Sequence, residues 1–376
     1  MKSKSQKQIN LELLRVISML MIITLHFLGH GNILSTVPPY TPSYYFAWTL
    51  EGICYISVNC YILISGYFLV DSHFKLKKLF NLILQVFFYS IFIYIILCIL
   101  GYIQFSPLNL LKAFTPTLSG EYWFFTVYIG MYILSPFINI LINNMNSKQH
   151  LYCIFVSVAL FSIHPSIMFY SQGLNFGGGT GIVWFLVLYL IAAYIKRYYH
   201  ANFRPRAYII LYIIFSALVP ISKFTLEICS KYTIMKISST DSLTKLIDKI
   251  YQYNSFFVLC SSVLIFILFL NIKDDFLSKK ILYVSPLCFG IYLIHDNNYI
   301  RSLLWGSINP TLYTEKWYFP LLLFFIVILI FICCSFIEFI RNKLFRFIAG
   351  YININVGSLN IATRIKNVIF HIIHNH

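Results

Sequence analysis

The chain has 376 residues, of which 59% are hydrophobic and only 11% are charged, and its formal net charge is +16. A soluble domain of this length could not cover so much apolar surface, so the composition indicates a polytopic membrane protein. The basic residues lie in short segments between apolar runs, where they set membrane orientation, and so we expect no nucleic-acid partner. The nine cysteines show no zinc-site spacing, and we predict no metal.

Apolar runs long enough to span a bilayer recur along the chain. We predict an all-α bundle of about ten transmembrane helices, at residues 9–30, 44–70, 79–101, 121–142, 151–170, 182–199, 207–222, 252–271, 281–300 and 317–340. With both termini in the cytoplasm, 20 of the 28 Lys and Arg residues fall on the inner side, as the positive-inside rule requires. This gives a transmembrane domain, 1–340, and a basic cytoplasmic tail, 341–376, that lies along the anionic inner leaflet.

Two outer loops differ in composition from the spans. The loop at 171–181 is glycine-rich but has no Walker lysine, so we expect a flexible turn or a lid instead of a phosphate loop. The segment 223–251 has mixed charge, which predicts one or two short helices on the outer surface.

The first predicted span carries two ionisable residues, Arg15 and His26. Eleven residues bring both side chains to one helix face, with a separation of about 16 Å along the axis. Ionisable groups are costly inside a membrane and usually mark a functional site there. The structural alternatives are that Arg15 only snorkels to the interface to orient the helix, and that His26 is a hydrogen-bonded interior histidine.

The predicted topology brings further ionisable groups to the outer half of the bundle, at the depth of that imidazole. They are Glu51 in the second span, Glu121 at the start of the fourth, and the pair His295 and Asp296 late in the ninth. Each has a structural interpretation too. Glu51 could be an ion-pair partner, Glu121 with Trp123 an interfacial anchor, and the last pair a hydrogen-bonded helix end.

A histidine in such a layer can take the proton of a hydroxyl as that hydroxyl attacks an acyl carbon. Glu51 and Glu121 are candidates to orient the imidazole of His26, and His295 is a further catalytic candidate. An arginine about 16 Å deeper suits a phosphate-bearing donor, at a separation of the order of a pantetheine arm. The pair therefore predicts binding of an acyl thioester. Direct transfer and an acyl-enzyme both fit the residues.

Several ordered segments carry a family likeness. They are Arg15 and His26 separated by ten residues in the first span, VNCYILISGYFLV at 58–70, the basic KLKKL at 75–79, GEYWFFTVYIGMYILSPFIN at 120–139 and FGIYLIHDN at 289–297. In this order they resemble acyltransferase family 3, the integral-membrane O-acyltransferases of bacterial surface glycans.

The resemblance implies acetyl-CoA, or another acyl-CoA, as the donor on the cytoplasmic side, and a hydroxyl of a capsular, lipid-linked or wall polysaccharide as the acceptor. It also implies a bacterial cytoplasmic membrane, with membrane lipid as a further partner. Arg15 and His26 carry over as the essential pair. Around them we assign the donor to Arg15, Lys75, Lys77 and Lys78, and the acceptor to Tyr122, Trp123 and Asp296. Whether the chain forms a homodimer is left open.

The alternative is a flippase, exporter or polymerase of the same pathway. Such a protein is expected to hold several intramembrane cations for a lipid diphosphate, or a large outer loop with arginines. We expect Arg15 to be the one buried cation, and the loop 223–251 has lysines but no arginine. Both features favour the enzyme.

Overall fold

The computed structural model describes residues 8–117, 120–168, 174–199, 204–231, 246–273 and 279–352, and in these ranges it holds helices and no strand. The longer helices are α1 (Ile9–Gly29), α2 (Pro42–Cys54), α3 (Ile56–Leu69), α4 (Leu76–Ile99), α5 (Pro107–Phe114), α6 (Trp123–Asn143), α7 (Ser147–Val158), α8 (Ile182–Tyr198), α9 (Pro205–Lys231), α10 (Phe256–Leu270), α11 (Cys288–His295), α12 (Asn298–Ile308) and α13 (Phe319–Ile352). The short elements are Ile33–Thr36, His164–Ile167, Ile281–Val284, the π-helical Ala159–Ile163, and the 3-10 turns Ser285–Leu287 and Pro310–Tyr313.

The all-helical, multi-pass class is confirmed. Among the described residues, seven helical segments are long and apolar enough to cross a membrane: Ile9–Thr36, Pro42–Leu69, Leu76–Ile99, Trp123–Asn143, Ser147–Ile167, Pro205–Cys229 and Phe319–Phe347. Three other predicted spans correspond to shorter helical stretches, which are α8, α10 and Ile281–His295. The count of about ten and the sides of the termini stay predictions.

The second and last predicted spans differ in detail from the helices observed. The span 44–70 is divided at Tyr55, where α2 ends and α3 begins. Helix α13 continues beyond residue 340, through the predicted start of the tail. By compactness, the described residues up to 335 form one unit and those from 336 onward another. The assignment of residues 1–340 to a transmembrane domain and of residues 341–376 to a cytoplasmic tail stays a prediction.

Parts of the predicted loops and tail lie outside the described residues. In the segment 223–251, α9 continues to Lys231 and residues 246–250 are helical, whereas 232–245 are not described. The tail beyond residue 352 and positions 171–173 of the glycine-rich loop are likewise outside. The remainder of that loop packs against the segment 252–254, since the Tyr253 backbone N–H donates to the Gly178 carbonyl at 3.1 Å.

Helix α3 is central because it packs against α1, α8 and α10. Gly66 permits the close approach to α8. A Cβ at this position would lie 3.0 Å from the Ala192 Cβ and 3.1 Å from the Tyr189 Cα. The apolar residues of α3 are buried together with those of α8 and α10 in one hydrophobic cluster. In a membrane, where lipid is as apolar as these side chains, it is their close packing that stabilises the contact between helices.

A buried asparagine fixes the neighbourhood of this cluster. Asn59 on α3 accepts a hydrogen bond from the indole Nε1 of Trp184 at 3.0 Å and donates to the carbonyl of Tyr253 at 2.8 Å. Because a buried amide is costly without partners, these bonds define the register of α3 against α8 and hold Tyr253 in place.

Helix α1 contributes to a second hydrophobic cluster as well. Its C-terminal half, including Phe27 and Leu28, is buried with Ile291 and Leu293 of α11 and with Leu323 of α13. Helix α11 is only eight residues long and ends at His295. The packing of α1 on α11 therefore brings the end of α11 beside His26.

Candidate active site

His26 and His295 are in direct contact. The Nδ1 of His26 lies 3.0 Å from the Nε2 of His295, and the two rings are tilted by 39°. His295 is buried, whereas the His26 side chain keeps 18% of its surface exposed. The two histidines predicted to share a layer therefore form a pair, with His26 as the accessible member.

The hydrogen bonds determine the tautomers of the neutral pair. The Nδ1 of His295 lies 2.6 Å from the carbonyl oxygen of Ile291, which can only accept, so this nitrogen carries the proton. The Nε2 of neutral His295 is then an acceptor, and the Nδ1 of His26 donates to it. The Nε2 of His26 is left with a free lone pair, the form that a general base requires.

Asp296 is the carboxylate of this cluster. Its Oδ1 lies 3.5 Å from the His26 Nδ1 and 3.8 Å from the His30 Nε2, and it accepts a hydrogen bond from Arg301 at 2.7 Å. Arg301 also donates to the Asp296 backbone carbonyl at 3.0 Å, which fixes the turn after α11. The Asp296 side chain is 2% exposed, and a buried negative charge needs a partner. Arg301 provides that partner, and the two imidazoles lie beside the same carboxylate.

The same atoms make a possible metal-ligand group. One ligand atom each of His26, His30 and Asp296 lies within 4.8 Å of the others. Two imidazoles and a carboxylate fit a divalent metal. Here the carboxylate already accepts a hydrogen bond from a guanidinium. The expectation that the protein uses no metal stays a prediction.

Glu121 supports the segment that carries Asp296. Its carboxylate accepts hydrogen bonds from Asn297 Nδ2 at 2.7 Å and from the Ser90 hydroxyl at 2.9 Å. Asn297 Nδ2 also donates to the Tyr122 hydroxyl, while its Oδ1 accepts from the first backbone N–H groups of α12. Glu121 therefore connects α4 to the turn between α11 and α12.

A cavity of about 230 Å³, named here the His26 cavity, runs along one face of α1. Its walls include Arg15, His26 and Trp123, with apolar side chains between them. The two ionisable residues of α1 thus share one cavity, as their spacing predicts.

A second cavity of about 400 Å³, the basic cavity, adjoins the first. Its ionisable lining consists of Arg15, Lys75, Lys78, Lys196, His73, Glu12 and Asp71. Arg15, Ser65, Lys78 and Tyr128 line both cavities, so the two are adjacent. Arg15 donates to Glu12 at 2.9 Å and keeps 27% of its side chain exposed, which leaves part of the guanidinium available to a ligand.

Comparison with known proteins identifies the family. Residues 8–352 match the family model of an acyltransferase domain, which covers most of the chain. The chain belongs to acyltransferase family 3. No curated protein and no solved structure matches it.

Not every residue that was predicted for this membrane acyltransferase lies at its histidine pair. Glu51 lines a third cavity together with Tyr253, and Asp296, not a glutamate, faces His26. Tyr122 is fully buried and donates to the Leu293 carbonyl at 3.0 Å, so it supports α11 and does not line the His26 cavity. Lys77 is exposed on α4 and lines neither the His26 cavity nor the basic cavity.

Four residues near the site were missed by the sequence analysis. His30 is one helical turn after His26, a spacing that could have indicated it. Asn297 directly follows the predicted pair. Arg301 follows the predicted pair by five residues and was given no role, and no local pattern marks Ser90, which reaches the site through tertiary packing.

The expectation of a single buried cation is wrong. Lys223 on α9 is only 3% exposed and forms a salt bridge with Glu227. Its ammonium also donates to the Tyr44 hydroxyl at 2.7 Å. A buried cation needs such partners, so Lys223 is neutralised within the bundle and is not offered to a diphosphate.

Proposed function

We propose that this acyltransferase moves an acetyl group from acetyl-CoA, bound from the cytoplasm, to a hydroxyl of a cell-surface or exported polysaccharide at the bacterial cytoplasmic membrane. The observation that carries the proposal is that the His26 cavity and the basic cavity are adjacent and share Arg15 in their lining. An acyl-CoA has the matching order of groups, with a thioester at one end, an uncharged arm and phosphates at the other end.

The basic cavity suits the phosphates. Four positively charged side chains line it, those of Arg15, Lys75, Lys78 and Lys196. Arginine and lysine are the residues that most often bind phosphate groups in proteins. The His26 cavity has apolar walls that include Met19, Ile22 and Leu82, which suit the pantetheine arm. In this arrangement the thioester lies at the His26 end.

His26 acts as the general base in this proposal. Its Nε2 takes the proton of the acceptor hydroxyl while the hydroxyl oxygen bonds to the thioester carbonyl carbon. Collapse of the tetrahedral intermediate breaks the C–S bond, and the departing thiolate of CoA receives the proton from the imidazolium. The products are the acetyl ester and free CoA, so atoms and charge balance.

Asp296 and His295 support the base. The carboxylate at 3.5 Å stabilises the positive charge that His26 gains, and His295 fixes the tautomer through its bond to Nδ1. Arg301 orients the Asp296 carboxylate through its hydrogen bond and favours the ionised form of that carboxylate.

The test is transfer of label from radiolabelled acetyl-CoA in membranes that contain the chain and a glycan extract of the cell it comes from. We expect label in the glycan with wild type, none with His26→Gln, and a raised KM for acetyl-CoA with Arg15→Ala. His164→Gln is the control, because His164 lines neither of the two cavities. Retained transfer by His26→Gln would overturn the mechanism, and no transfer by inserted wild type would overturn the activity.

A flippase or polymerase is the alternative that the sequence left open. The match to an acyltransferase domain favours transfer over transport. In the same assay, a glycan that crosses the membrane without acquiring label would support the alternative.

A further inference from the structure

A third cavity lies next to the His26 cavity and is not part of the donor site proposed above. It has a volume of about 370 Å³ and is named here the Glu51 cavity. Its lining includes Trp48, Glu51, Tyr55, Asp248, Tyr251 and Tyr253. Tyr253 lines the His26 cavity as well, so the two cavities share an aromatic side chain.

The walls of the Glu51 cavity are aromatic. The rings of Tyr55 and Tyr253 lie 5.1 Å apart, and those of Trp48 and Tyr251 lie 5.2 Å apart. Tyr253 is also stacked on Trp123 of the His26 cavity. Such rings offer large apolar faces with polar tips, which suit ligands that are themselves part apolar and part polar.

Glu51 is the polar group that points to a ligand. It is 7% exposed, and its Oε2 has no hydrogen-bond partner. The indole Nε1 of Trp48, on the same helix, is also without a partner. A buried carboxylate oxygen without a donor is costly, so a donor from a bound molecule would stabilise it.

The charge of the cavity selects the ligand. Glu51 and Asp248 are both acidic, and none of the described lining side chains is cationic. A cation, Lys223, does lie close to Trp48, with its ammonium 4.1 Å from the centre of the indole ring. This ammonium is already paired with Glu227. The carboxyl oxygens of these side chains can accept hydrogen bonds from sugar hydroxyls, and the described lining offers no cation to pair with an anionic sugar.

The glycine-rich loop supplies the remaining wall. Gly178 and Gly179 have φ angles of +67° and +87°, which side chains rarely adopt. A Cβ on Gly178 would lie 2.9 Å from Gln252, and one on Gly179 would lie 2.7 Å from the Asn254 nitrogen. The loop is therefore held against the segment that carries Tyr253, and together they shape the cavity.

We propose that the Glu51 cavity is the acceptor subsite and binds an uncharged sugar unit of the glycan, with the sugar hydroxyls donating to Glu51 and Asp248 and its ring against the aromatic walls. The hydroxyl to be acylated then extends past Tyr253 into the adjoining His26 cavity. This inference rests on the proposed function and gives Glu51 a binding role in place of the orientation of His26.

The experiment separates acceptor binding from donor binding. The glycan extract is divided by anion exchange into neutral and acidic fractions, and each is titrated against wild type, Glu51→Gln and the control Glu315→Gln, which changes an exposed acid elsewhere. Binding of CoA is measured on the same purified proteins from the rise of Tm. Wild type should acylate the neutral fraction. Glu51→Gln should raise the KM for that fraction up to about tenfold, the size expected for the loss of one hydrogen bond, with CoA binding unchanged.

Other outcomes separate the two proposals. An unchanged KM with Glu51→Gln, or acylation of the acidic fraction alone, would overturn the subsite and leave the acyltransferase activity intact. A loss of CoA binding in Glu51→Gln would mean that the variant is misfolded or that Glu51 serves the donor. Trp48→Phe then decides between these, because it should raise the same KM while CoA still protects the protein. No transfer by wild type to either fraction would overturn the proposed function itself.

Discussion

One carboxylate oxygen of Asp296 has three basic side chains within 4 Å: Arg301 at 2.7 Å, His26 at 3.5 Å and His30 at 3.8 Å. Arg301 alone carries a permanent charge, so it compensates Asp296 in the resting site. The imidazole that gains a proton during transfer then stands beside a carboxylate already in place. Such preorganised charge is more effective in a site from which water is excluded.

Asp296→Asn should therefore impair the chemical step. The amide keeps the size of the side chain but cannot stabilise the imidazolium of His26, so kcat should fall about a hundredfold, within the range of general-base effects. The KM for acetyl-CoA should stay within about twofold, because Asp296 lines neither the His26 cavity nor the basic cavity. Steady-state kinetics in membranes measure both. A rise in KM with unchanged kcat would contradict the assignment.

Glu121 affects the histidine pair only indirectly, through its hydrogen bond with Asn297. Glu121→Ala should lower kcat and reduce the free energy of unfolding by about 1–3 kcal/mol, because Asn297 and Ser90 lose a buried acceptor. Glu121→Gln retains an oxygen that can accept from Asn297 and should recover most of both quantities. The Tm and kcat of the two variants provide the measurement. If the glutamine variant were as inactive as the alanine variant, the negative charge itself would be required.

At the same scale, sequence reasoning found the pair on α1 but not its partners. Arg15 and His26 follow from helical periodicity, which is local. The contact of His26 with His295 joins residues 269 positions apart, so no local pattern contains it. Depth in the membrane was enough to place Asp296 in the right layer. It could not show that this carboxylate, instead of Glu51 or Glu121, faces the imidazole, because that depends on how α11 ends and packs.

At the scale of elements, the lengths of the apolar runs predicted where most helices lie but not where they are interrupted. The first helix was expected at 9–30 and is observed at Ile9–Gly29. The break at Tyr55 falls within a continuous apolar run, where hydropathy carries no signal. The extension of α13 to Ile352 follows a basic, still helix-forming sequence, which a search for apolar runs ends too early.

The contact of α3 with α8 provides a test of packing. Gly66→Ala should lower the free energy of unfolding by about 1–3 kcal/mol, since the added Cβ meets Ala192 and the Tyr189 backbone. Gly306→Ala is the matched control, because no atom lies within 4 Å of a Cβ there and alanine favours the helix α12. Thermal unfolding in detergent should separate the two variants. Equal Tm values would show that α3 and α8 can move apart at little cost.

At the scale of the whole molecule, two chemically different cavities adjoin the His26 cavity. The basic cavity is rich in cations, whereas the Glu51 cavity holds acids and aromatic rings. A donor with phosphates and an uncharged acceptor would thus be sorted by charge before they meet. The composition and the positive-inside rule predicted basic loops, but only the folded chain shows that Lys75 and Lys78 converge with Arg15 on one space.

That convergence predicts how donor affinity responds to charge and salt. Lys75→Ala and Lys78→Ala should each raise the Kd for CoA about fivefold, or about 1 kcal/mol, while Lys77→Ala should not, because Lys77 lies on the same helix but outside the basic cavity. Salt should weaken wild-type binding, since the Debye length shrinks from about 10 Å at 0.1 M to about 3 Å at 1 M. The double variant Lys75→Ala/Lys78→Ala should show a smaller salt dependence. Titration of CoA at several salt concentrations measures both effects. An equal loss of affinity in all three single variants would mean that the lysines act through the overall surface charge, and the phosphates of the donor would then have to bind elsewhere.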